Sequence, residues 1–146
     1  MTPRGCTNLK LRQLTRRVSQ HYDAELAKAG LKTTQYSLLS HLAKLGPLRP
    51  GELAMAMTLD ASTLTRNLKP LLDAGWAALG AGADGRSRVA TITEAGRAKV
   101  AEGRRHWRAA QEGVNRMLGV ERVAALHDLI DECHQSMDPA TAAEDP

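Results

Sequence analysis

The segment of residues 58–93 constrains the fold most strongly, because its pattern predicts a helix followed at once by a short basic β-hairpin. Asp60 is a suitable N-cap, and the apolar spacing after it predicts a helix over Ala61–Asp73. The runs Trp76–Leu79 and Arg88–Ile92 can pair as strands across a glycine-rich tip. Any fold for this chain must therefore hold a helix and a two-stranded hairpin side by side.

The side chains of this segment favour nucleic-acid binding. Hydroxyl and basic groups lie on the helix, and arginines lie at the tip and the return of the hairpin. Phosphates and base edges are bound by donors of this kind, and free amides in a first helical turn favour phosphate. Alternatively, the hydroxyls only cap their own helix and Arg88 is a solvated strand residue. The candidate DNA-binding residues here are Ser62, Thr63, Thr65, Arg66, Lys69, Arg86 and Arg88.

Pro70 conflicts with the predicted helix. Proline lacks the amide donor and clashes with the carbonyl four residues earlier, here that of Arg66. The helix is expected to kink or loosen at this point, which leaves its first two turns to bind.

Amphipathic patterns elsewhere predict five more helices, so the chain is expected to be mainly α with a small β-hairpin. Aromatic residues make up 3% and phenylalanine is absent, so leucine, valine, alanine and methionine must form the core. A short helix, a tight turn and the helix after Asp60 match the helix-turn-helix layout. The additional predicted helices span residues 8–29, 33–45, 51–57, 94–118 and 120–137.

The last predicted helix has the most regular apolar pattern in the chain. Its seam repeats at 3-4-3-4 spacing, which is typical of helices that pair in a coiled coil. After it, residues 138–146 are predicted to be a disordered tail. The seam residues are Val123, Leu126, Ile130, Cys133 and Met137.

Charge is distributed unevenly along the chain. Residues 1–50 carry nine Lys/Arg and two acids, a net +7, and residues 51–108 carry nine against six, a net +3. Residues 109–146 carry two against eight, a net −6. A basic body with an acidic C-terminal end favours a polyanion as one partner, although a solvated surface also accounts for many of these charges.

Several classes of protein are not favoured by the sequence. No apolar run reaches the roughly 20 residues of a membrane span, and the N-terminus lacks the apolar centre of a signal peptide, so a cytoplasmic protein with no membrane partner is predicted. No catalytic arrangement stands out, so no enzyme activity and no cofactor are predicted. His127, Cys133 and His134 lack a recognised zinc-ligand spacing, so no metal site is predicted.

The sequence resembles the multiple antibiotic resistance regulator (MarR) family of winged helix-turn-helix proteins over about residues 8–137. The resemblance is carried by residues 60–66 (DASTLTR) in the recognition helix, 84–88 (DGRSR) in the wing and 92–96 (ITEAG) after it. One departure is the small, uncharged Ala-Gly-Ala sequence of residues 81–83 in the wing tip.

This resemblance implies a single domain over residues 1–146. Within it, residues 8–30 and 94–137 are dimerisation helices and residues 33–93 are the winged helix-turn-helix. It also implies a sequence-specific transcription repressor that binds a pseudo-palindromic double-stranded DNA operator as a homodimer. The wing arginine of the family enters the minor groove and an aspartate helps to hold it, roles that fall on Arg86 and Asp84.

The resemblance further implies a small aromatic or phenolic acid effector, bound between the dimerisation helices and the DNA-binding part. Polar residues that suit a carboxylate are Arg16, Arg17, His21 and His41. Arg17 and His21 share a helix face, but an exposed or dimer-interface pair is the alternative.

Two other interpretations stay open. Oxidation-sensing members of the family use a cysteine near the first helix, which makes Cys6, with Arg4 and Lys10 nearby, a candidate redox residue. The alternative is an unreactive N-terminal thiol and a Cys133 that only fills the seam. A winged-helix adaptor that binds proteins and no operator DNA is the remaining rival.

Overall fold

The computed structural model describes residues 1–142 and is mainly α with one β-hairpin, as predicted. The chain divides into two compact units, of which the first is Met1–Ala110 and the second begins at Gln111. The elements are α1 (Thr7–Leu26), a 3-10 turn (Ala27–Ala29), α2 (Thr33–Leu45), α3 (Pro50–Ala56), α4 (Ala61–Asp73), β1 (Ala77–Ala81), β2 (Arg88–Ile92), α5 (Glu94–Leu118), α6 (Val120–Ser136) and α7 (Pro139–Ala142).

Leucine side chains from α1 to α4 form the core of the first unit. Within a helix these leucines are spaced mainly three or four residues apart and so share one face. Alanines of both strands cover the core from the hairpin side. Asp23 ties α1 to α2, because its carboxylate accepts the Thr33 amide at 2.8 Å and caps that helix. The largest side chains that are less than 2% exposed are Leu26, Leu38, Leu39, Leu42, Leu53, Leu64 and Leu71.

A tight turn and a backbone bridge fix α4 relative to the hairpin. Thr58, between α3 and α4, has φ +53° and is the one non-glycine residue among residues 1–142 with a positive φ. Leu48 and Ala90 exchange backbone hydrogen bonds of 3.2 and 2.8 Å, which joins the segment before α3 to β2. The hairpin is therefore anchored on the helix-turn-helix.

The first part of α5 passes very close to its neighbours. A Cβ on Gly96 would overlap the Trp76 carbonyl oxygen, and one on Gly103 would lie 2.7 Å from the Tyr36 ring. The amide of Gly96 also donates to Thr93 Oγ1 at 3.0 Å, so Thr93 caps the helix as predicted.

The second unit contains the end of α5, together with α6 and α7. Val114 and Val123 are buried, whereas Ile130 of the predicted seam is 45% exposed and Met137 is 81% exposed. Exposed apolar residues on a helix mark an unfilled contact face.

Two segments differ from the sequence predictions. Strand β1 runs on to Ala81, because the tip closes later, through the bond from the Gly82 amide to the Ser87 carbonyl. The predicted disordered tail begins with the helix α7, while residues 143–146 lie outside the described residues. Helix α4 spans Ala61–Asp73 as predicted and continues through Pro70, whose carbonyl accepts the Ala74 amide at 3.0 Å.

Candidate nucleic-acid interface and cavity

The carboxylate of Asp60 organises the N-terminus of α4. It accepts the Thr63 amide at 2.7 Å, the Ser62 hydroxyl at 2.7 Å and the Thr63 hydroxyl at 2.9 Å. An ionised carboxylate at this end repels phosphate and already uses the Thr63 amide. Because both hydroxyls donate to Asp60, Ser62 and Thr63 offer acceptor oxygens, and phosphate binding by the other amides of this turn stays a prediction.

The remaining candidate residues of α4 also have partners. Arg66 Nη2 donates to Thr63 Oγ1 at 3.2 Å, which orients the guanidinium towards the start of the helix. The Thr65 hydroxyl bonds the Ala61 carbonyl at 2.9 Å. Lys69 pairs with Asp73 at 3.1 Å on the solvent side, so its charge is largely offset. Arg66 is consequently the main source of positive charge on this helix.

The wing turn is built around Asp84. Its carboxylate accepts the amides of Arg86 and Ser87, both at 2.9 Å, and the Ser87 hydroxyl at 2.8 Å. Gly85 between them adopts φ +70°, a conformation that glycine tolerates without strain. Asp84 thus holds the main chain of Arg86, and within residues 1–142 the guanidinium itself has no hydrogen-bond or ion-pair partner. Arg88 is also exposed, on β2.

The carboxyl groups of Asp60 and Asp84 are more acidic than usual in the folded chain. Hydrogen bonding from the Thr63 amide, then from the Ser62 and Thr63 hydroxyls, lowers the pKa of Asp60 to about 2. The amides of Ser87 and Arg86 lower the pKa of Asp84 to about 2 in the same way. Both groups are therefore ionised at neutral pH.

These lowered pKa values predict an acid dependence of stability. A carboxylate whose folded pKa lies below its ordinary value contributes stability above that value and loses it as the pH falls towards the folded pKa. For Asp60 this window runs from pH 3.8 down to about pH 2. Denaturant unfolding across this window should show a shallower decline for Asp60→Asn than for the wild type. Asp131→Asn, which removes a carboxyl from the exposed face of α6, is the matched control, and equal slopes for Asp60→Asn and the wild type would contradict the prediction.

A cavity of about 620 Å³ opens between α1, α2 and α5. Three aromatic side chains and three basic ones contribute to its wall, and no acidic residue does. Such a mixture of apolar walls with a few convergent polar groups is typical of small-molecule sites. The basic and aromatic residues that line it are Tyr22, Tyr36, His41, Arg104, Trp107 and Arg108.

One of the four predicted effector residues lines this cavity. His41 does so, and its Nδ1 lies 2.7 Å from the Ser37 carbonyl, which orients the ring. Arg16, Arg17 and His21 are not part of the lining. The His21 ring stands edge-on to that of Tyr22 at 6.5 Å, and its Nε2 is buried without a hydrogen-bond partner.

Sequence reasoning missed the residues that α5 supplies to the cavity. Arg104, Trp107 and Arg108 are spaced three and four residues apart and therefore share one helix face. A basic-aromatic-basic face on an otherwise amphipathic helix was the signal that could have identified them.

The two cysteines are not bonded to each other, and the histidines are not grouped with other metal-binding side chains in the described part of the chain. Cys6 precedes α1 and Cys133 lies on α6; both are exposed free thiols. Among residues 1–142, no three histidine, cysteine, aspartate or glutamate side chains are grouped to hold a metal ion. None of the helices in this part of the chain is long and apolar enough to cross a membrane.

Comparison with known proteins places this arrangement in a family. The model of the MarR family matches residues 31–77, from the start of α2 to β1. The uncharacterised HTH-type transcriptional regulator YwoH of Bacillus subtilis is 28% identical over 93 residues, which are 64% of this chain and 68% of that protein.

Solved structures share the architecture. A Mycobacterium tuberculosis transcriptional regulator, MOSR, solved in complex with DNA, is 31% identical with a TM-score of 0.72, over 88% of this chain and 98% of that one. A probable transcriptional regulator of Pseudomonas aeruginosa, 24% identical, has a TM-score of 0.80 over 87% and 96% of the two chains and supports the fold. With its helix-turn-helix, its wing and these matches, this chain belongs to the MarR family.

Proposed function

We propose that this protein is a transcription repressor that binds a pseudo-palindromic DNA operator as a homodimer. The observation that carries the proposal is that one compact unit presents two exposed arginines, Arg66 on α4 and Arg86 on the wing. A recognition helix of this kind enters the major groove, and an arginine beside it suits the flanking minor groove. The MOSR structure, a complex with DNA, supports the same use of the fold. Such a regulator would act in the cytoplasm, where bacterial DNA lies.

Exposed apolar side chains support the homodimer. Leu9 and Leu11 of α1 are about half exposed, as are Leu129 and Ile130 of α6. Apolar faces of this extent on two terminal helices favour burial against a second copy. A second copy also supplies the two-fold symmetry that a pseudo-palindromic operator requires.

The cavity between α1, α2 and α5 supports release by a small aromatic acid. Its aromatic walls suit a ring, and Arg104 or Arg108 can pair with a carboxylate. The effector releases the operator only if it binds the DNA-incompetent conformation more tightly than the competent one. An oxidation-responsive repressor is the alternative, and it would place the switch at Cys6 instead.

Replacement of Arg66 by alanine tests the DNA assignment. If Arg66 contacts a base, Arg66→Ala should relax the sequence preference at one position of each half-site, since a bidentate arginine contact discriminates by about 1–3 kcal/mol. Binding-site selection from random duplexes measures this preference, with Arg122→Ala on α6 as the matched control. A selection profile identical to that of the wild type would exclude base contact by Arg66. Binding that neither discriminates sequences nor weakens with salt would favour the protein-binding adaptor.

A further inference from the structure

A second cavity, of about 410 Å³, lies beside the first between α2 and α5. The two cavities share four lining residues: Tyr36, Ser40, His41 and Arg104. The two cavities therefore adjoin along these residues. Two adjoining cavities with different linings suit a ligand with two chemically different ends.

The second cavity concentrates unpaired positive charge. Lys44 from the end of α2 and Arg97 from the start of α5 join Arg104 in its lining, and no acidic residue lines it. Within residues 1–142, none of these three cations makes an ion pair. The charges at this cavity are consequently available to a ligand.

The number of donors distinguishes between possible anions. A single carboxylate has one charge and two oxygens, which Arg104 alone can bind in a bidentate manner. A phosphate monoester carries about −1.5 to −2 charges at neutral pH and three terminal oxygens, which match two arginines and a lysine better. We propose that the effector is an aromatic ligand ending in a phosphate-type dianion, with its ring in the first cavity and the dianion in the second.

This inference rests on the ligand response proposed above and names the class of effector. It also links the site to the DNA-binding elements, because α2 packs against both α4 and β2. A ligand that draws α2 and α5 together through Lys44 and Arg97 acts on the helix that supports the recognition helix.

Calorimetric titration of the full chain with matched probes tests the assignment. The probes are 1-naphthyl phosphate, 1-naphthoate and inorganic phosphate. The wild type should bind the aryl phosphate about tenfold more tightly than the naphthoate, because the dianion can form additional charge-assisted hydrogen bonds. Arg97→Gln should remove this preference and leave naphthoate affinity unchanged. Arg105→Gln, an equal change of charge on α5 outside both cavities, should retain it.

Four outcomes would overturn the inference. Equal affinity of the wild type for 1-naphthyl phosphate and 1-naphthoate would contradict the proposed binding of a dianion. A preference for the phosphate that persists in Arg97→Gln would contradict it as well. Inorganic phosphate bound as tightly as the aryl phosphate would indicate a simple anion site. Failure of both naphthyl ligands to bind would exclude this effector class. A gel shift with operator DNA reports separately on the proposed function: if Arg97→Gln loses DNA affinity but keeps its ligand affinities, Arg97 contacts the DNA backbone instead.

Discussion

Replacing Arg86 with alanine is expected to lower operator affinity about a hundredfold. The guanidinium is exposed and unpaired, while its main chain is held by Asp84, so the free protein presents the charge without reorganising the wing. Removal of one buried charged contact to DNA costs at least about 1.4 kcal/mol, which is tenfold in affinity, and a homodimer loses two such contacts. Arg86→Lys should recover only part of the affinity, because an ammonium fits a narrow groove less well than a planar guanidinium.

A gel shift or fluorescence anisotropy titration at fixed salt measures this loss. Arg105→Ala, which removes the same charge from α5, should stay close to the wild type. The salt dependence of Arg86→Ala should also become shallower, because fewer counterions are released on binding. Unaltered affinity and an unaltered salt slope would show that Arg86 is only a solvated turn residue.

Gly96→Ala is expected to have the largest effect on stability. The added Cβ would overlap the carbonyl oxygen of Trp76 and lie 2.8 Å from a side-chain carbon of Ile92. That carbonyl accepts the Thr93 amide at 3.0 Å, so it cannot move away without breaking the cap of α5. Overpacking of this kind costs about 3 kcal/mol when backbone must move, a large part of the stability of a small protein.

Denaturant unfolding measures this cost, and Gly51→Ala provides the matched control. Gly51 lies in α3 with a negative φ, and a Cβ there would meet no atom within 4 Å. Alanine at this helical position should therefore leave stability unchanged or raise it by about 0.5–1 kcal/mol. If Gly96→Ala unfolds at the same denaturant concentration as the wild type, close packing of α5 against Trp76 does not limit the residue at position 96.

Much of the fold could be predicted from the sequence because local signals agreed with one another. Apolar spacing and the cap at Asp60 fixed α4, and glycines with alternating apolar residues placed the hairpin. The end of β1 was misplaced by two residues, because nothing local to Gly80 reveals that the turn closes only at Gly82 and Ser87.

The candidate site was less accessible to sequence reasoning, because its properties depend on partners. The sequence made Lys69 a candidate DNA contact, and the structure pairs its ammonium with Asp73 one turn later. His41 was identified as a possible effector residue, whereas the spacing of Arg104 and Trp107 on α5 was not recognised as a cavity face. That these residues face α2 across a cavity is decided by tertiary packing, which the residue pattern of α5 does not encode directly.

Pro70 leaves one backbone carbonyl of α4 without its helical hydrogen bond, and substitutions at the other positions of α4 do not restore that bond. Because proline has no amide hydrogen, the Arg66 carbonyl oxygen lacks the helical partner that other interior carbonyls have. The helix nevertheless continues to Asp73, so this main-chain acceptor is held in place within the segment proposed to read DNA. An alanine scan of α4 that spares Pro70 would attribute every preference to side chains and overlook it. Pro70→Ala restores the missing amide donor. It therefore separates the contribution of this backbone acceptor to DNA binding from the contributions of the side chains.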